Sequence, residues 1–189
     1  MSDLRGRQTS TPITEREYRP VRRIVTGEDD QGRSVIVSDG PTPNVAFPTF
    51  SSGAGQVVWA TGAGVAPGDD PAPAGHRFAF HSDGGSLLRI ADFAPDEQID
   101  SAKLAKFLAE NRVLGEKPGR HAWFHKTLSL DYAIVLEGEI YAMMDVGETL
   151  MRAGDVLIQR ATSHSWSNRS GRMCRMAFVL LALPERETK

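Results

Sequence analysis

The chain holds a single cysteine, Cys174, among its 189 residues, so no intrachain disulfide can form and stability has to come from packing. It also lacks any apolar run of the ~18 residues that would span a bilayer, and no basic-then-apolar leader opens it. Charge of neither sign is in excess. Lys and Arg number 22 against 24 Asp and Glu, a net charge of -2, which gives neither nucleic acid nor an anionic membrane an electrostatic footprint. The consistent expectation is a soluble, single-domain protein of a reducing, cytoplasmic compartment. Asn168-Arg169-Ser170 has the form of a glycosylation acceptor, but without a secretory leader it reads as a chance match.

What the chain does have is a series of short β-type segments divided by Gly, Asp and Pro. Residues 1–20 carry too little apolar surface to offset the entropy of ordering and read as a flexible tail. Residues 21–118 contain Arg23-Ile24-Val25-Thr26, Ser34-Val35-Ile36-Val37, Val57-Val58-Trp59-Ala60 and Leu87-Leu88-Arg89-Ile90-Ala91-Asp92-Phe93, each with the length and boundaries of a strand in a sandwich or barrel. The Gly-, Ala- and Pro-rich stretch from Gly62 to Gly75 reads as a loop. Between Asp100 and Asn111 the period changes, because Leu104, Phe107 and Leu108 recur at helical spacing and Asp100 or Ser101 can cap the start. Such a helix would pack on the outside of a barrel or lie as a lid over its mouth. Residues 119–183 supply more strands, expected at about 120–128, 131–137, 139–145, 148–151, 155–159, 164–167 and 174–183, and residues 184–189 form a charged tail. The last strand is almost wholly apolar, the pattern of a strand buried on both faces.

Two stretches in the second half carry the chemistry. One runs Phe124-His125-Lys126-Thr127-Leu128-Ser129-Leu130-Asp131 and continues to Gly138; the other is Ala161-Thr162-Ser163-His164-Ser165-Trp166-Ser167-Asn168. They resemble the two motifs of the cupin family, small β-barrels that commonly hold a divalent metal between them. On that resemblance the family's first His falls on His125, its second His on Thr127, its Glu on Asp131 and its closing Gly on Gly138. In the second motif the Gly falls on Ala161, the His on His164 and the Asn on Asn168. Both outer histidines and Asn168 are kept; Thr127, Asp131 and Ala161 depart from the pattern.

The resemblance implies an all-β fold, a single cupin jelly-roll β-barrel (double-stranded β-helix) with one accessory α-helix and an N-terminal strand extension. It covers residues 119–182 closely and 22–93 loosely, where Arg22-Arg23-Ile24-Val25-Thr26-Gly27 and Ser38-Asp39-Gly40-Pro41 are similar to the leader strands of bacterial single-cupin proteins. Such proteins are frequently homodimers.

It also implies a site. His125, His164 and Asp131 would form a two-His, one-carboxylate face for Zn, Fe, Mn or Ni, with positions open to water and substrate. The alternative is that His125, Thr127, Asp131 and His164 form a hydrogen-bonded polar cluster inside the barrel. If the first motif is a regular strand, His121, Trp123, His125 and Thr127 share a face, with His121 roughly 13 Å from His125 and so a rim or surface residue. Trp123, Thr127, Trp166 and Asn168 are expected to line the substrate pocket. His76 and His81 read as surface residues, and Cys174 as a buried, unreactive thiol.

Two functions fit these readings. One is a metalloenzyme of oxygenase, isomerase or lyase type, acting in the cavity on a compact aromatic or oxygenated carboxylate. The other is a non-catalytic ligand-binding or regulatory barrel with a degenerate metal site. The fold does not choose between them. In both, the expected partners are a small molecule and a second copy of the chain.

Overall fold

The computed structural model describes residues 18–62, 85–110, 121 and 124–183. The stretch from residue 63 toward Gly75, His76, His81, Trp123, and the terminal segments 1–17 and 184–189 lie outside the described residues. In chain order the strands are β1 (Arg22–Glu28), β2 (Ser34–Pro41), β3 (Val45–Ala46), β4 (Ala54–Ala60) and β5 (Ser86–Phe93). After a 3-10 turn at Asp96–Gln98 and helix α1 (Ser101–Glu110) come β6 (Ser129–Glu137), β7 (Glu139–Met144), β8 (Glu148–Arg152), β9 (Val156–Arg160), β10 (His164–Ser167) and β11 (Cys174–Ala182).

The strands form an all-β jelly roll. A six-stranded sheet runs β3-β4-β5-β11-β6-β9, a three-stranded sheet runs β10-β7-β8, and β1 and β2 make a separate two-stranded ribbon. The paired strands are all antiparallel among the described residues, so one face of each strand can be apolar while the other meets solvent. The core fills the space between the two larger sheets with Val57, Leu87, Ala133, Val135, Ile140, Ala142, Met151, Trp166, Met176, Phe178 and Leu180.

Register sets which residues meet inside. One inner row runs Val57, Arg89, Phe178, Ala133, Leu157, and the next runs Leu87, Leu180, Asp131, Gln159. Arg89 and Asp131 therefore stand in adjacent rows on either side of β11, at diagonal positions within reach of long side chains. The last strand is not fully buried on both faces: Met176, Phe178 and Leu180 enter the core, whereas on the other face only Ala177 is buried and Arg175, Val179 and Leu181 are half-buried. Its apolar run reflects a central position between β5 and β6.

Expectations for the first motif and the N-terminal tail need correction, whereas the helix stands as expected. Residues 124–128 do not form a strand; His125 makes one isolated bridge and the chain becomes regular only at Ser129. The face shared by His121, His125 and Thr127 therefore does not exist. Tyr18 to Pro20, read as flexible, are tied to β4 by the buried Gln56, whose Oε1 accepts from Tyr18 Oη (3.1 Å) and Val21 N (2.8 Å) and whose Nε2 donates to Arg19 O (3.2 Å). Helix α1 packs Leu104 and Leu108 on Phe50 beside the barrel, and Asp100 caps it by accepting from the backbone N–H of Ala102 and Lys103.

The outer face of β6 and β9 is unusually apolar. Tyr132 lies opposite Ile158 and Ile134 opposite Val156, with Leu136 beyond them, and Tyr132, Leu136, Val156 and Ile158 are all exposed. Among the described residues no helix is long and apolar enough to cross a membrane.

Candidate functional site

β10 is short because Ala161, at the motif's Gly position, turns the chain with φ 51°, and Gln159 then locks the turn. Gln159 Nε2 donates to Thr162 O at 2.9 Å and also to Thr162 Oγ1. The same carbonyl faces His164 Nδ1 at 3.0 Å. A carbonyl only accepts, so Nδ1 carries the hydrogen and Nε2 is the lone-pair nitrogen of the neutral ring. Burial pushes the His164 pKa down to about 4; the Thr162 contact opposes this and the charge of Arg89 adds to it.

His125 is brought to His164 by reciprocal backbone hydrogen bonds of 2.9 and 3.0 Å, and the ring centroids are 4.3 Å apart. Both are buried. Thr127 and Asp131 are buried too, with Thr127 Oγ1 accepting from Ser129 Oγ at 2.9 Å. Between these groups and the core stands Arg89, which the sequence reading passed over. It is buried, its guanidinium carbon lies 4.9 Å from the centre of the Phe178 ring, and burial lowers its pKa to about 10 while the Asp131 charge works to raise it. It remains a cation at neutral pH. The signal was available: Arg89 is the one charge in the inward series Leu87, Arg89, Ala91, Phe93.

Above His125 and Arg89 opens a cavity of about 250 Å³, walled mainly by Phe47, Phe50, Phe93, Phe107 and Trp166. Phe107 and Ile99 bring the helical segment into the wall, so α1 both packs beside the barrel and shapes its mouth. Trp166 lines the cavity as expected, whereas Thr127 and Asn168 do not. The Asn168 amide is spent on the backbone, donating to Phe93 O at 2.9 Å and Arg172 O at 2.7 Å, and it holds the β10–β11 turn. A second, larger cavity of about 390 Å³ is lined by Tyr18, Arg19, Asp92, Glu137, Arg172 and Arg175 among others. Its charges are engaged with one another, as in the two-pronged Arg175–Asp92 pair at 2.6 and 2.8 Å, so it offers a ligand less than the apolar cavity does.

His121 is neither rim nor free surface. Its Nδ1 is 2.8 Å from Ser165 Oγ and its Nε2 3.3 Å from Asp96 Oδ2. Asp96 also accepts from Ser167 Oγ (2.6 Å) and Asn168 N (2.9 Å), which knots the approach to α1, the approach to His125 and β10 together.

The fit to a metal is partial. The structure brings His125 and His164 together, but among the described residues no group of three or more His, Cys, Asp or Glu side chains is gathered to hold an ion. Asp131 instead faces the field of a fixed guanidinium, and a like charge beside a would-be ion opposes its binding. The described residues do not fit a three-ligand centre.

No family model matches the chain. It is 44% identical over 72 residues to the phomopsin biosynthesis cluster protein C' of Diaporthe leptostromiformis, covering 37% of this chain and 38% of that protein. The chain thus spans well under half the length of that relative. With the cupin-domain-containing oxidoreductase fogC of Aspergillus ruber it shares 30% identity over 171 residues, 85% of this chain and 72% of the relative. The chain belongs to the cupin family. A second cupin-domain-containing oxidoreductase, srdB of Neurospora crassa, is 28% identical over 92% of this chain and 81% of its own length. These three relatives are from fungi. Among solved structures, a putative ethanolamine utilization protein q from Salmonella typhimurium LT2 aligns with this cupin at a TM-score of 0.42 and 10% identity, over 88% of this chain and 100% of that one.

Proposed function

We propose that this cupin is a small-molecule enzyme that takes a compact, ring-bearing substrate into the aromatic-walled cavity and acts on it by proton transfer at His125. The observation that carries the reading is the composition of that cavity: apolar walls of five aromatic rings end on His125, a buried imidazole backed by a second one. Small-molecule sites have this makeup, mostly apolar with a few convergent polar groups. The oxidoreductase names of the relatives support an enzyme over a carrier.

The residues divide the work. Phe93 and Trp166 would sandwich a ring, Phe107 and Ile99 would exclude water, and His125 would take or return a proton at a substrate carbon or oxygen. His164, kept neutral by burial, backs the His125 ring without adding positive charge. The exposed apolar face of β6 and β9 supports a homodimer joined there.

The test is exchange in D2O. Cyclic and aromatic aldehydes, ketones and 2-oxo acids are incubated with the protein and followed by proton NMR. Wild type should accelerate deuterium incorporation or conversion of at least one class, and His125→Ala should lose ~10²-fold or more of that rate. Acceleration that survives His125→Ala contradicts the assignment.

A further inference from the structure

A glutamine on the inner face of a barrel strand loses hydration that only hydrogen bonds can replace. Gln159 closes the inner row Leu87, Leu180, Asp131, Gln159 at 2% exposure, where a further leucine would pack without that cost. Its amide is turned on one residue: Nε2 donates to Thr162 O at 2.9 Å and also to Thr162 Oγ1.

The residues on either side of Thr162 are tied elsewhere, Ala161 N donating to Ser129 O at 3.0 Å and Ser163 Oγ to Asp145 Oδ1 at 3.1 Å. The carbonyl between them is the one that His164 Nδ1 meets at 3.0 Å. With two donors on it from two side chains, that carbonyl has little freedom to swing, and the imidazole donating to it is held in one tautomer and one orientation. In water the neutral imidazole of histidine favours hydrogen on Nε2, so the Nδ1–H form is imposed by the fold. The consequence reaches His125, whose ring centroid lies 4.3 Å from that of His164. Moving the hydrogen from Nδ1 to Nε2 would turn the N–H dipole of a ring packed against the working imidazole, and both rings are buried, where such a change is little screened.

We propose that Gln159 is a positioning residue of the site: through the Thr162 carbonyl it fixes His164 with hydrogen on Nδ1 and a lone pair on Nε2, and so sets the ring beside which His125 transfers protons. The inference rests on the reading of His125 as the proton-transfer group, and adds to it the residue that prepares its neighbour. Gln159 touches no substrate and acts only through Thr162 and His164.

The experiment reads the tautomer from the imidazole 15N resonances of the full chain at neutral pH, with His164 assigned by its absence from His164→Gln. Wild type should carry the hydrogen on Nδ1. Gln159→Met, which follows the length of the glutamine without its amide, and Gln159→Glu, which keeps the shape and withdraws the donor, should both move His164 largely to the Nε2–H form. Each should also slow the His125-dependent deuterium exchange by about tenfold or more. The glutamate variant preserves the comparison if the methionine variant does not fold. Hydrogen on Nε2 in wild type, or a tautomer unchanged in both variants, overturns the proposal. A shifted tautomer with unchanged exchange removes Gln159 from the reaction. Absence of exchange in wild type overturns the proton-transfer reading and any part of Gln159 in it, while the tautomer still reports whether Gln159 sets His164.

Discussion

His125 and His164 face one another across a single antiparallel bridge, each N–H donating to the other's carbonyl at 2.9 and 3.0 Å. This is one hydrogen-bonded pair of a ladder that goes no further. The bridge presents two imidazoles side by side at the floor of a cavity, and it needs only a short irregular segment, not a strand, to deliver the first of them.

The pH dependence of stability should carry the mark of His164. Its pKa falls from an ordinary 6.5 to about 4 on folding, so between those values the unfolded chain binds the proton more readily. The contribution is fully present above the unfolded value and is lost as pH falls from about 6.5 to about 4, at a total of about 3 kcal/mol. Denaturant melts of wild type and His164→Gln over this range should show a steeper acid loss in wild type. Equal slopes would contradict the neutral, buried ring.

Removing Asp96 should loosen the cavity at a distance. Burial works to raise the Asp96 pKa, but hydrogen bonds from His121 and Ser167, the His121 charge and the Asn168 N–H together hold it below the usual carboxylate range. Its contribution is therefore present above the ordinary carboxylate pKa and lost as pH falls through the lowered folded value. Asp96→Ala should cost about 2 kcal/mol and weaken benzoate binding, since the segment it anchors carries Ile99 and Phe107. A melt and a titration on the same variant check both effects.

Ala161 occupies a left-handed backbone at φ 51° where the family pattern has Gly. That conformation costs an L-residue ~1 kcal/mol or more, while a glycine adds ~0.4–1 kcal/mol of unfolded-state freedom. Ala161→Gly should thus leave stability unchanged or raise it by up to ~1 kcal/mol, and Ala161→Val should lower it by more than ~1 kcal/mol. Thermal melts of the two variants give the signs.

Light scattering at micromolar concentration should report twice the 20.6 kDa chain mass. Ile158→Glu, which sets a charge in the exposed apolar face opposite Tyr132, should shift the protein toward monomer. A wild-type monomer would contradict the dimer.

The fold was legible because its signals are local and repeated. Alternation and turn residues marked β5, β6, β9 and β11, and helical spacing with the Asp100 cap marked the start of α1 to within a residue. The meeting of His125 with His164 was legible from the resemblance of their two stretches to the cupin motifs. What was missed depended on contacts between segments far apart in the chain. His121 joins Asp96 and Ser165 because residues 124–128 leave the strand pattern, and Asn168 turned to backbone carbonyls at Phe93 and Arg172 that no spacing rule brings near it. Arg89 was visible as a charge in an inward series, but its place beside Asp131 follows from β11 lying between β5 and β6.

The most direct test of the aromatic-walled cavity as the working site is to titrate the isotopically labelled protein with benzoate and map the shifted resonances. Saturable shifts should centre on Phe50, Phe93, Phe107, His125 and Trp166. Shifts centred instead on Tyr18, Arg19, Arg172 and Arg175, around the second cavity, would contradict it.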